Sequence, residues 1–141
     1  MVSPYPEWLT QLCVAHWNEE GMDIVRIVSP AGDRSDTRRI YLLGTPDAVA
    51  ALNRLDISDV DAVLVTGTGM TSLGAIAWHA GRSDVPILSS NLYLAWAASC
   101  RLSAGAGGGD ADSFLEWLAQ QAPWRARFAS RFPSAAALVP S

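Results

Sequence analysis

Two short apolar runs joined by a helical pattern, each closed by a turn rich in glycine or hydroxyl groups, predict an α/β protein with a parallel sheet. The runs are residues 61–65 (DAVLV) and 85–88 (VPIL). Parallel neighbours need a crossover of a dozen or more residues, and residues 66–84 are long enough to supply a helical one. The same alternation recurs upstream, where a helical pattern, a strand-like run at residues 23–28 (DIVRIV) and a second helical pattern follow one another. Strands alternating with helices argue for a parallel sheet flanked by helices. At 141 residues, half of them hydrophobic, the chain has the length and composition of one ordinary domain with a real core.

Residues 1–3 form a short first strand, followed by Pro4, Tyr5 and Pro6 and then by a helix. On that helix Leu9, Leu12, Cys13, His16 and Trp17 share a face, and Gly21 stops it. Cys13 sits in the apolar stripe and reads as a packed thiol; His16 reads as a structural residue at the stripe's edge. Residues 23–28 read as a strand bounded by Ser29, Pro30 and Gly32, and the charged loop after it as solvated. Thr45 is expected to cap a second helix, with Pro46 at the first helical position and Asp47 complementing the dipole. Its Val49, Ala50, Leu52 and Leu55 are apolar residues suited to packing on a sheet.

After the strand at residues 61–65, the turn 66–70 (TGTGM) leads to a helix capped by Thr71 or Ser72, which runs to about residue 80 and is ended by Gly81. The strand at residues 85–88 follows. Ser89, Ser90 and Asn91 then cap a further helix containing Leu92, Leu94, Trp96 and Ala97. Residues 1–103 thus make the α/β unit, residues 104–110 a Gly-rich linker, residues 111–133 a helical segment and residues 134–141 a loose tail. Trp124, Phe128 and Phe132 share one face of the helical segment, with Arg125, Arg127 and Arg131 elsewhere, which suits a packing helix better than a nucleic-acid surface.

Composition removes several chemistries. All ten basic residues are Arg, so Schiff-base chemistry, pyridoxal attachment and a Walker-type phosphate loop have no lysine to use. Two cysteines and two histidines in no metal-like spacing make a poor ligand set for zinc. The net charge of −4 offers no attraction to nucleic acid or an anionic membrane, and no apolar run reaches the ~18 residues of a span. The start, MVSPYPEW, has neither a basic region nor an apolar core of a signal peptide, so a cytoplasmic chain with reduced thiols is expected.

In a parallel sheet the strand C-terminal ends share one rim, so the turns at residues 3–5, 66–70 and 89–91 converge. They offer hydroxyls, a side-chain amide and backbone N–H groups at helix starts, which bind a small anion without Lys or Arg. Gly67 and Gly69 let a ligand approach the backbone. The cradle suits a carboxylate, with phosphate the competitor. The glycine spacing does not fit a dinucleotide fingerprint, and a plainer alternative stays open in which the glycines only make a tight turn and Ser and Asn only cap helices.

The run TGTGMTSL, followed by VPILSSNLYLAW, resembles the aspartate/glutamate racemase superfamily, in particular its maleate cis-trans isomerase and arylmalonate decarboxylase branch. The opening VSPYPEWL resembles the start of the second half of such proteins, and the resemblance spans about residues 1–98. It implies a flavodoxin-like parallel sheet, one of two similar halves with the active site between them, acting without a cofactor. The implied chemistry moves a proton, isomerises or decarboxylates at the carbon next to a carboxylate, using one or two cysteines. By position, Tyr5 would bond the carboxylate, Thr68 and Gly69 would donate backbone N–H groups, and Ser90 and Asn91 would shape the pocket floor. The second-half cysteine falls at Gly67, and Cys13 and Cys100 are expected on helices away from the rim.

The first strand, at residues 1–3, is shorter than the roughly five or six residues usual for a strand, although a flavodoxin-like order puts it at the centre. The resemblance therefore implies a half-fold that is a fragment, the product of an alternative start, or a chain completed by a partner, either a companion half-domain or a second copy. The leading expectation is a racemase-, isomerase- or decarboxylase-like domain that binds a small carboxylic acid at Tyr5, Gly67, Thr68, Gly69, Ser90 and Asn91 and takes its cysteine from elsewhere. A non-catalytic carboxylate-binding module and a flavodoxin-like phosphate or nucleotide binder are the alternatives.

Overall fold

The computed structural model describes residues 1–30, 36–80 and 82–102. The segments expected as linker (104–110), C-terminal helix (111–133) and tail (134–141), and the helix stop at Gly81, lie outside the described residues. The elements are α1 (Glu7–Glu19), a 3-10 helix (Thr37–Leu42), α2 (Thr45–Arg54), β1 (Val63–Val65), α3 (Leu73–Ala80), β2 (Ile87–Ser89) and α4 (Ser90–Leu102).

β1 and β2 pair in parallel, with Val63 opposite Ile87 and Val65 opposite Ser89. Val63, Val65 and Ile87 are buried while Leu64 and Leu88 are half-buried. A run that is apolar at successive positions is the pattern of a strand covered on both faces. Val2 extends the sheet: it forms parallel bridges with Val65 on one side and Val28 on the other. The Val2 N–H donates to the Leu64 carbonyl at 2.8 Å, and the Thr66 N–H donates to the Val2 carbonyl at 3.0 Å. On the other flank, the Ser3 N–H donates to Val28 at 3.0 Å and the Val28 N–H to Met1 at 2.9 Å. The spatial order is therefore residue 28, residue 2, β1, β2, all parallel.

The strand expected over residues 23–28 is reduced to this one bridge at Val28. Residues 22–27 are irregular, and Val25 is 57% exposed. Among the described residues only Met1 to Ser3 pair beside Val28, and Pro4, with no N–H, does not continue the ladder.

α1 ends in a Schellman motif. Gly21 has φ +85, its N–H donates to Asn18, and the Met22 N–H donates to Trp17. The face expected to be buried is largely open: Leu12 is 59% exposed, His16 is exposed and Cys13 is half-buried. Thr10 is the buried residue of this helix, and its hydroxyl shares a 2.8 Å hydrogen bond with the buried Ser3 hydroxyl. A polar pair thus pins α1 to the first strand where an apolar stripe was expected.

The helix cap expected at Thr45 moves back one residue. Gly44 is the N-cap, Thr45 is already helical, and the Asp47 carboxylate accepts from the Gly44 N–H at 2.9 Å. Asp47 bonds the cap's N–H from inside the helix, so the cap position needs no side chain of its own. Of the expected sheet-packing residues, Leu52 and Leu55 are buried, Val49 is half-buried and Ala50 is exposed. α2 lies against α3, and small buried residues on both (Ala48, Ala51, Ala75) allow close approach.

The first helical bond of α3 runs from Ile76 N–H to the Ser72 carbonyl, which makes Ser72 the cap rather than Thr71. At α4 the Ser89 hydroxyl accepts from the Leu92 N–H at 3.3 Å, so the last residue of β2 also caps the next helix. No helix among the described residues is long and apolar enough to cross a membrane.

His79, in the last turn of α3, is 6% exposed and its Nε2 has no partner. Burial pushes its pKa below the ordinary histidine value, while a hydrogen bond with the Val85 backbone pulls the other way. A depressed folded pKa means the unfolded chain binds the proton more readily. This contribution to stability is present above the unfolded value of 6.5 and is lost as pH falls through the lower folded value. We expect His79→Phe to lose less of its melting temperature than the native chain between pH 7.5 and pH 5. A second expectation concerns the buried pair: Thr10→Val leaves the Ser3 hydroxyl without its partner and costs about 1–3 kcal/mol in urea denaturation.

Candidate functional site

The C-terminal ends of β1 and β2 open on the turns at residues 66–72 and 89–91. Thr66 is buried, and both its N–H and its hydroxyl donate to the Val2 carbonyl, at 3.0 and 3.2 Å. It serves the sheet, so the ligand-facing part of the turn begins after it. The Asn91 side-chain amide donates to the Thr68 carbonyl at 3.2 Å, tying the two turns together. Between them lies a cavity of about 370 Å3. It is lined by the polar residues Thr68, Thr71, Ser72, Ser89 and Asn91, by Gly69, and by the apolar Met70, Leu73, Ile76, Leu92 and Ala95. No charged side chain among the described residues lines it.

Anion binding here rests on helix geometry. The first N–H groups of a helix have no intrahelical partner and carry the positive end of its dipole. α3 and α4 both start at this cavity, and the Leu92 N–H is already taken by Ser89.

Of the six candidate residues, Thr68, Gly69 and Asn91 line the cavity, whereas Tyr5, Gly67 and Ser90 are not part of its lining. Tyr5 is half-buried and packs against the core. Its phenol pKa is raised, chiefly by burial and further by the nearby Cys13 and Tyr41. Ser90 is the exposed first residue of α4.

Gly67 has φ +86, and a Cβ built on it would lie 2.4 Å from Pro4 Cγ. Position 67, where the resemblance would put a cysteine, is thus closed to a side chain by Pro4 in the turn that follows the first strand. Cys13 lies on α1 and Cys100 on α4, and neither lines the cavity. Burial raises the Cys13 pKa, which keeps that thiol protonated and weakly nucleophilic.

The 3-10 helix, not expected from the sequence, packs on the turn at residues 66–70, although none of its residues lines the cavity. A Cβ on Gly69 would meet Tyr41 Cε1 at 2.9 Å and Ile40 Cγ2 at 3.1 Å, so the helix lies directly over this turn. Asp36 caps it, accepting from the Arg38 N–H at 2.9 Å, and also pairs with the Arg38 guanidinium at 2.9 Å. An Asp cap followed by Ile40, Tyr41, Leu42 and Leu43 is the signal that could have revealed it.

A larger cavity, about 520 Å3, opens at the opposite end of the sheet beside Met1, Val63 and Leu64. Asp23, Asp56, Asp59 and Asp61 line it, and its Arg26 is bonded to Asp59 at 2.6 Å. Those carboxylates repel an anion, so of these two cavities the smaller is the candidate. Among the described residues no group of three or more His, Cys, Asp or Glu is placed to hold a metal ion. The chain matches no protein-family model, no curated protein and no solved structure.

The packing at Gly67 sets an expectation for a cysteine placed there. Gly67→Cys costs about 1–2 kcal/mol for its left-handed backbone and a further ~1–3 kcal/mol for overpacking against Pro4. Combining it with Pro4→Ala recovers only the second part, read as a double-mutant cycle in urea denaturation.

Proposed function

We propose that the rim cavity binds a small carboxylic acid, and that the chain is a racemase-, isomerase- or decarboxylase-like half-domain whose cysteine comes from a companion half or a second copy. The observation that carries this reading is the cavity between the β1–α3 and β2–α4 turns, with two helix starts facing it and Asn91 bonded to Thr68. In open α/β sheets ligands bind in a crevice beyond the strand C-terminal ends. The order residue 28, residue 2, β1, β2 supports a flavodoxin-like arrangement, in which the first strand is central.

This chain's share of the chemistry is to bind and orient. Backbone N–H groups at the two helix starts receive the carboxylate, and the Thr68 and Ser89 hydroxyls and the Asn91 amide fix its orientation. Removing a proton next to a carboxylate needs an acid/base group near neutral pKa, and a thiolate suits that task once its pKa is lowered. No such group lines this cavity among the described residues.

A second reading, a carboxylate-binding module without catalysis, draws on the closure of Gly67 by Pro4. Adding a companion chain with a rim cysteine separates the two readings: α-proton exchange into deuterated solvent appears for the first and stays absent for the second. A phosphate or nucleotide binder is less well supported, because among the described residues no cation lines the cavity and several of the lining side chains are apolar.

Binding itself is tested by thermal denaturation of the full chain with acetate, malonate, maleate and phosphate at constant ionic strength. A ligand at about 100 times its Kd stabilises by roughly 2.7 kcal/mol and raises the midpoint. At least one carboxylate should do so, and Asn91→Ala should weaken the effect. Stabilisation by phosphate alone would sink the carboxylate reading.

A further inference from the structure

We propose that residues 111–133 of this chain dock on the sheet face that carries Leu64 and Leu88, beside α1, and cover the cavity of about 520 Å3. The proposal is independent of the carboxylate reading above.

The register divides the sheet into two faces. Residues paired across parallel strands point the same way, and successive residues along a strand point opposite ways. Val2, Val63, Val65 and Ile87 therefore share one face, and Met1, Ser3, Leu64 and Leu88 share the other. The first face is covered: its four residues belong to one buried cluster with residues of α2 and α3. The second face is where α1 sits, held by the bond between Thr10 and Ser3. Among the described residues α1 contributes nothing to the buried cluster. Its Leu9, Cys13, Val14 and Trp17, on the side of Thr10, are only half-buried. Leu64 and Leu88, opposite one another in the register, are half-buried as well, and with Met1 they line the larger cavity. Parallel strands are as a rule covered on both faces. Among the described residues, then, the α1 layer is incomplete over β1 and β2.

Reach, apolar content and charge together name the occupant. α4 starts directly after β2, and its 13 residues extend ~20 Å. Residues 103–110 span up to ~26 Å when extended, so residues 111–133 can return to the sheet. Within them Trp124, Phe128 and Phe132 recur at helical spacing, which supplies one apolar face. Laying that face on Leu64 and Leu88 removes apolar surface of both partners from water. Asp23, Asp56, Asp59 and Asp61 line the same cavity, and its Arg26 is bonded to Asp59. Residues 123–132 carry Arg125, Arg127 and Arg131 and no acidic residue, so their charge complements that lining. A second copy meeting this face through a twofold axis would instead set the four aspartates against themselves.

The test is hydrogen exchange of the full chain, read by mass spectrometry over residues 111–133, with α2 and α3 as the folding reference. Amides of the docked segment are expected to exchange at least about tenfold more slowly than those of an unstructured chain. Leu88→Ser, or Leu64→Ala where the first variant loses its α2 and α3 protection, should raise those rates about tenfold. Leu94→Ser, at an exposed position of α4, should leave them unchanged. Arg127→Glu combined with Arg131→Glu should raise them too, and tests the proposal even where neither sheet variant folds. Unprotected exchange throughout residues 111–133 would overturn the proposal. So would protection that survives the sheet substitutions or the charge reversal, and so would release of the segment by Leu94→Ser. Protection that fades on dilution in step with dissociation of a dimer, followed by sedimentation, would overturn it in favour of a second copy.

Discussion

The sheet depends on a single residue held from both sides. Val2 is fully buried and bridges Val28 on one flank and Val65 on the other. Its carbonyl accepts from both the N–H and the hydroxyl of Thr66. Its neighbour Ser3 bonds the Thr10 hydroxyl, which secures α1. A three-residue strand would be marginal on its own; here nearly every polar group near its centre is satisfied by another segment, and Val2 supplies the apolar contact. Unpaired backbone groups in this interior would be costly, so the bonds around Val2 hold the upstream segment, α1 and β1 in one arrangement.

The same segment shapes the rim. Pro4 follows the first strand and packs on Gly67, while Ile40 and Tyr41 pack over Gly69. The two glycines therefore serve close backbone packing, and Gly67 also needs its left-handed backbone. A residue that the family resemblance marks as catalytic is occupied, in physical terms, by a packing contact. What remains open is the space between the two helix starts, and its electrostatics come from backbone dipoles.

The two ends of the sheet differ sharply in charge. The strand N-terminal end gathers four aspartates around one paired arginine, and among the described residues no charged side chain lines the cavity at the C-terminal end. The carboxylates disfavour an anion at the first, whereas the second is lined by hydroxyls, an amide and apolar side chains.

The local pattern was legible from residues alone at several places. The apolar run at residues 63–65, the Gly21 helix stop and the Ser89 cap follow from short-range rules of burial period and capping; that the turns holding Thr68, Gly69 and Asn91 meet follows from the rule that parallel strands end on one rim. The strand at residues 23–28 was not, because its propensity is real but its neighbour is only three residues long; pairing is a non-local property. Nor was the exposure of Leu12, since helical spacing says which residues share a face and not whether anything covers it. The cap at Gly44 escaped notice because Asp47 supplies it from inside the helix. The sequence by itself determined the helices α1 to α4, the two paired strands, the turn chemistry at the rim and the absence of lysine chemistry. Tertiary structure alone decided that Pro4 closes Gly67, that Tyr5 packs against the core rather than lining the cavity, and that apolar side chains of α3 and α4 share that lining. Each of these depends on contacts between segments tens of residues apart, which no local pattern encodes.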